Sequence, residues 1–134
     1  MKKLIITAAI LTLAVTAHAD SLTIGNIAFG TGIENHAITG VDTSFTTAAG
    51  RIYCWTVAMN ALSADTIYHI WTLDGTFVQK IPLVVKGFRY RTNSFKTLHE
   101  GHAGTWTVEV TDNQDNRLAI DSVTVTQAPN PSQE

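Results

Sequence analysis

The stretch KGFRYRTNSFK, Lys86 to Lys96, sets four cations and three aromatic rings in eleven positions of a chain whose formal net charge is −2. The chemistry this offers is anion binding. The guanidinium groups of Arg89 and Arg91 can hold a carboxylate or a phosphate through paired hydrogen bonds, and Lys86 and Lys96 add point charges beside them. From Gly75 to His99 every charged residue is a cation (Lys80, Lys86, Arg89, Arg91, Lys96), a local balance of +5. The rest of the chain after residue 19 has Arg51 and Arg117 against eleven carboxylates, a balance of −9. A field of this kind reaches over about a Debye length, roughly 8 Å at physiological ionic strength. The competing expectation is that these cations pair with carboxylates on neighbouring strands, Glu109 or Asp121 for instance, each exposed pair adding only ~0–1 kcal/mol.

Three further groups of residues have reactive side chains. His69 and Trp71 lie two apart in YHIWTL, which fits either a binding pair or a histidine hydrogen-bonded in a core, with Ser94 or a backbone carbonyl as its partner. Cys54 is the only cysteine, so no internal disulfide can form, and its setting between Tyr53 and Trp55 predicts a buried, inert thiol. His99, Glu100 and His102 have neither the helical H-E-x-x-H spacing of a zinc protease nor enough ligands for a closed site, so no metal and no cofactor are expected. A zinc finger is excluded by the single thiol. No G-x-S-x-G elbow or phosphate-cradling loop is present, and FGTG at Phe29 to Gly32 reads as a turn.

Whatever positions these groups is built of strands. Segments rich in Thr, Val, Ile and aromatics alternate with Gly, Asn and Asp clusters, and no stretch has helical periodicity. The expected strands are Leu22 to Phe29, Val41 to Thr47, Arg51 to Met59, Thr66 to Leu73, Thr76 to Val85, Phe88 to Phe95, Thr105 to Thr111 and Leu118 to Thr126. The fold class is all-β, an antiparallel immunoglobulin-like sandwich of about seven to eight strands. Asp74-Gly75 supplies the positive φ of a type I′ hairpin. The Asx residues of DNQDN, Asp112 to Asn116, can close a longer one. In Trp106, Val108 and Val110 the apolar residues fall on one parity, so that strand has one face in the core. Ile67, His69, Trp71 and Leu73 share a face in the same way, and Pro82 marks its strand as an edge or a bulge. In a regular strand Phe95 falls on the face of Arg89 and Arg91, apart from Phe88 and Tyr90, which predicts a bulge or sheet switch near Thr92 to Ser94.

The chain opens with Lys2 and Lys3, a thirteen-residue apolar run from Leu4 to Thr16, and Ala17-His18-Ala19. This is the pattern of a secretory signal peptide over residues 1–19, cut before Asp20, and the run is well short of the roughly 20 residues of a membrane span. A periplasmic or secreted product is expected, with one β-domain over residues 20–126 and a flexible tail over 127–134.

The succession RIYCWTVAMN, YHIWTLDGTFVQKIPLVVKG, YRTNSFK and GTWTVEVTDNQDNRLAIDSVTV resembles the bacterial family catalogued as domain of unknown function 2914, from about Ile24 to Val125. The most specific pieces are His69-x-Trp71 before the Asp-Gly hairpin, Tyr90-Arg91-Thr92 with Ser94 and Lys96, and Gly104-x-Trp106. The resemblance implies a small extracytoplasmic β-domain and no assigned activity. It singles out His69, Trp71, Arg91, Ser94 and Trp106, either as a shared core or as a site. After GIEN this chain has His36-Ala37 where the family looks to have a charged residue with a proline, which bears on the shape of the first connection.

The expected function is non-catalytic binding of an anionic envelope glycan, a lipid phosphate or an acidic protein surface. Lys86, Arg89, Arg91, Ser94, Lys96, His69 and Trp71 are the candidate contacts. Nucleic acid is disfavoured by the acidic balance and by export. Two other readings stand beside it. One is a structural or inhibitory protein that adds a strand to a partner through the Pro82 edge or the N-terminal segment. The other is a small hydrolase using Ser94 or Cys54 with His69, His99 or His102. Oligomeric state is not written in these residues.

Overall fold

Long runs of β-branched and aromatic residues fold almost wholly as strand, punctuated where Asn, Asp and Gly permit positive φ. The computed structural model describes residues 21–129, so the expected signal peptide lies outside the described residues. In chain order the strands are β1 (Thr23–Gly30), β2 (Gly32–Glu34), β3 (Ala37–Thr39), β4 (Ser44–Thr46), β5 (Arg51–Leu73), β6 (Thr76–Thr97), β7 (Gly104–Thr111) and β8 (Arg117–Thr126), with one 3-10 turn at Thr47–Ala49. The all-β reading and the count of about eight strands hold.

Two pairs of expected strands are each one continuous strand. Arg51 to Met59 and Thr66 to Leu73 join as β5, and Thr76 to Val85 and Phe88 to Phe95 join as β6. The pair forms one hairpin across Asp74 (φ 50°) and Gly75 (φ 79°), the expected type I′ turn. Halfway along, the register breaks between Ala61 and Asp65, next to Asn60 (φ 65°), and Gly87 (φ 88°) stands directly opposite Ala61. Both strands thus bend at one level, and the parity of the buried residues changes there in each, between Ala58 and Ala61 on β5 and between Val85 and Ser94 on β6. Ile52, Cys54, Thr56 and Ala58 are buried on one arm; Ile67, His69 and Trp71 are buried on the other. The arms double back, since Thr56 and His69, on the same strand, touch at 3.2 Å.

The main sheet runs β1-β5-β7-β8-β4, with β6 along the other side of β5. β1 pairs with the first arm of β5 and β7 with the second. All pairs are antiparallel except β4 with β8. The curled sheet closes on a core of Phe29, Ile52, Trp71, Trp106, Val108, Val110 and Val125. Trp71 lies edge-on to Phe29 and to Trp106, each at 6.1 Å. Each such side chain contributes roughly 1.5–3 kcal/mol by leaving water. β7 buries Trp106, Val108 and Val110, the parity expected.

The expected turn at FGTG is instead a tight passage from β1 into a separate ribbon, β2 with β3, closed by Asn35 (φ 50°) and His36 (φ 63°). Gly30 is required there, because a Cβ would lie 2.3 Å from the Thr39 carbonyl oxygen. The DNQDN loop closes as expected. Asp112 donates its backbone N–H to the Asn116 carbonyl, and its carboxylate accepts the N–H groups of Gln114 and Asn116. Past β8, the Gln127 side chain accepts the Gly101 N–H, and the Ala128 N–H donates to the Thr47 hydroxyl.

Candidate functional site

Most of the candidate residues fall into two groups, Arg89 and Arg91 on the outer face of one arm of β6, and Ser94 with His69 and Trp71 on its inner side. From Arg89 to Thr97, β6 pairs with Met59 to Arg51 of β5 without a break. The bulge expected near Thr92 to Ser94 is absent, because the pattern needs no repair. Odd residues, Arg89, Arg91, Asn93 and Phe95, lie on the outer face opposite Met59, Val57, Trp55 and Tyr53. Phe95 is accommodated there by Tyr53, at 5.4 Å between rings, and by the Arg51 guanidinium 4.6 Å from its centroid. Even residues point inward, and Ser94 is buried beside its register partner Cys54.

On the inner side, His69, Trp71 and Ser94 form a hydrogen-bonded cluster within the core. The Trp71 indole donates its N–H to the Ser94 hydroxyl oxygen at 2.9 Å. The Ser94 hydroxyl meets His69 Nδ1 at 2.6 Å, and His69 Nε2 meets the Thr56 hydroxyl at 3.2 Å. His69 has no exposed surface, and burial pushes its pKa down to about 4, so the ring is neutral near pH 7. The serine partner expected for this histidine is therefore the one the fold supplies. Cys54 is fully buried, and burial raises its thiol well above the usual range.

On the outer side, the β2–β3 ribbon lies against the arm. Trp55 donates its indole N–H to the His36 carbonyl at 2.8 Å, and the Arg91 guanidinium reaches the Asn35 carbonyl at 3.5 Å. Between ribbon and arm is a hollow of about 250 Å³ lined by His36, Arg89, Tyr90 and Arg91. Among the described residues, Lys86, Arg89, Arg91 and Lys96 make no ion pair. Glu109, expected as a partner for this patch, pairs with Arg117 at 3.1 Å, and Lys80 pairs with Asp115. Sequence reasoning missed Asn35 and His36 as parts of this surface. Their signal was the Asn-His pair itself, where asparagine readily takes positive φ, but three-residue strands on either side show no periodicity.

Lys96 belongs to neither group. It bonds the Gln79 side chain at the mouth of a cleft of about 440 Å³ lined by Gln79, Ile81, Asn93, Ser94, Phe95 and Lys96, and burial pushes its ammonium below its ordinary pKa. His102 accepts the His99 N–H through Nδ1 and stands edge-on to Trp106 at 5.8 Å, while its carbonyl takes the Trp106 indole N–H. These histidines thus brace the entry to β7.

A search of curated proteins returns no match to the chain. The model of a family described as "Protein of unknown function (DUF2914)" matches residues 64–125, from the bend of β5 into β8. The matched segment contains His69, Trp71, Arg91, Ser94, Gly104 and Trp106, while the ribbon that walls the hollow precedes it. The match thus covers the bent hairpin's second arm, β6, β7 and most of β8, and it is to the same family that the His69-x-Trp71 and Gly104-x-Trp106 motifs resemble.

Proposed function

We propose that this protein is an exported, non-catalytic module of immunoglobulin-like sandwich type that holds an anion on the outer face of β6. The anion belongs to an envelope component or to an acidic protein surface. The observation that carries the reading is the hollow lined by His36, Arg89, Tyr90 and Arg91, where two arginines stand without carboxylate partners among the described residues. Two other cations, Lys80 and Arg117, do have such partners, and Arg51 lies over the Phe95 ring. Each charge-assisted bond to a ligand there contributes on the order of 1.5–3 kcal/mol when water is excluded. The two-layer reading is supported by the arms of β5, which face one another across a single core. Export is supported by the sequence pattern of residues 1–19 alone.

The hydrolase reading has one observation in its favour, the 2.6 Å contact between Ser94 and His69. Burial weighs against it: a histidine with a pKa of about 4 is a weak base, and the Ser94 oxygen already accepts the Trp71 N–H.

The test is retention of Arg89→Glu/Arg91→Glu on isolated envelope fractions, compared with the unaltered protein. Loss of retention with an unchanged thermal midpoint is expected. Equal retention removes the proposal.

A further inference from the structure

β6 is hydrogen-bonded on one side only. Its sole neighbour among the described residues is β5, and no backbone group from Thr76 to Thr97 bonds to any other segment. Along its outer edge, alternate residues therefore present N–H and C=O groups to solvent, the template on which another strand can form. The two arms of this edge differ. The first, Thr76 to Val85, is guarded: Pro82 lacks a donor, and Lys80 is tied to Asp115. The second, Arg89 to Thr97, has no proline and an unbroken register with β5.

The chemistry flanking the second arm selects its occupant. Arg89 and Arg91 face outward beside the His36 hollow. At the arm's far end is the cleft in which Ile81 of the first arm lies beside the inward-facing Ser94 and Lys96, and Phe88, 68% exposed, precedes the arm. No carboxylate occurs between Gly75 and His99. Two copies of this strand paired edge to edge would set cations against cations, which disfavours a symmetric dimer through it on charge grounds. A strand with carboxylates on one parity and apolar side chains on the other meets both faces at once.

We infer that the Arg89–Thr97 arm of β6 takes an extended acidic segment of another protein as an added strand, its carboxylates set against Arg89 and Arg91 and its apolar residues against the cleft. The inference rests on the reading of the Arg89–Arg91 face as an anion site and names the partner's chemistry. Main-chain bonds along the edge provide affinity, and the alternation of charged and apolar side chains provides register and choice of partner.

The experiment uses a fluorescent peptide about ten residues long, alternating glutamate and valine, titrated onto the full protein with anisotropy as readout. A lysine–valine peptide of the same length tests charge. The glutamate–valine peptide N-methylated on two consecutive central residues loses a donor on each of its edges and tests main-chain pairing. Expected are binding of the glutamate–valine peptide, slowed amide exchange within Arg89 to Thr97, and affinity weakened about tenfold or more by N-methylation, equivalent to ~1.4 kcal/mol. No binding is expected for the lysine–valine peptide. Equal binding of the N-methylated peptide overturns strand addition and leaves anion binding by the side chains standing. No binding of any peptide, with envelope retention still lost in Arg89→Glu/Arg91→Glu, overturns the acidic segment in favour of a glycan or lipid phosphate. Failure of both experiments removes the anion site itself.

Discussion

The Ser94 hydroxyl oxygen lies 2.6 Å from His69 Nδ1 and 2.9 Å from Trp71 Nε1, so one serine on β6 satisfies two ring nitrogens carried by the far arm of β5. Ser94→Ala leaves both without a partner in a dry core. At ~1–3 kcal/mol for each orphaned group, a loss of about 2–6 kcal/mol is expected in urea unfolding. A loss below about 1 kcal/mol would show that water or a neighbouring group replaces the hydroxyl.

His69 makes stability depend on pH in a predictable direction. Its folded pKa of about 4 lies below the ordinary 6.5, so the unfolded chain takes up the proton first as pH falls. The contribution is therefore fully present above about pH 6.5 and is lost between there and pH 4, by about 3 kcal/mol in all. Urea midpoints measured across this range should fall for the unaltered protein and stay flatter for His69→Gln, carboxylate titration being common to both. Parallel curves would refute the assignment.

Gly104 is fixed by its neighbour. A Cβ there would lie 2.5 Å from the Asp74 carboxylate, which accepts the Thr105 N–H at 2.8 Å while Asp74 donates its own N–H to the Thr105 carbonyl. Gly104→Ala, at φ 149°, should expel that carboxylate and unfasten the β5–β6 turn from β7. A cost of about 1–3 kcal/mol is expected, with faster amide exchange at Thr105; Asp74→Asn, which keeps an acceptor, should cost less than 1 kcal/mol, roughly.

Cys54 should resist a neutral thiol reagent in the folded state and react at once in denaturant, because it is buried and its thiolate is disfavoured. Rapid labelling of native protein, followed by mass spectrometry, would contradict the position of β5.

Local chemistry was legible in the sequence. Asp74-Gly75, the Asp112 loop and the parity of Trp106, Val108 and Val110 each name their conformation within a few residues. The core location of Trp71 and Trp106 fits the same patterns, whereas Trp55 is buried on the outer side against the β2–β3 ribbon. What stayed hidden is non-local. The bend at Asn60 and Gly87 reads as two strand ends, since neither residue reveals that its partner strand bends at the same level. The ribbon around Asn35-His36 is too short to show a period, yet it forms a wall of the hollow beside Arg89 and Arg91. Likewise the separation of the candidate residues into an outer arginine pair and an inner His69–Ser94–Trp71 cluster depends on the register of β6 against β5.

The parallel pairing of β4 with β8 dictates when this chain can finish folding. Phe45 and Val125 sit side by side in the sheet, although β5, β6 and β7 all lie between them in the chain. A nascent chain can zip the hairpin around Asp74-Gly75 as soon as Thr97 emerges, but β4 must wait for Thr126. Completion of the sheet is therefore deferred until its last strand has been made, whatever the order in which the other pairs form.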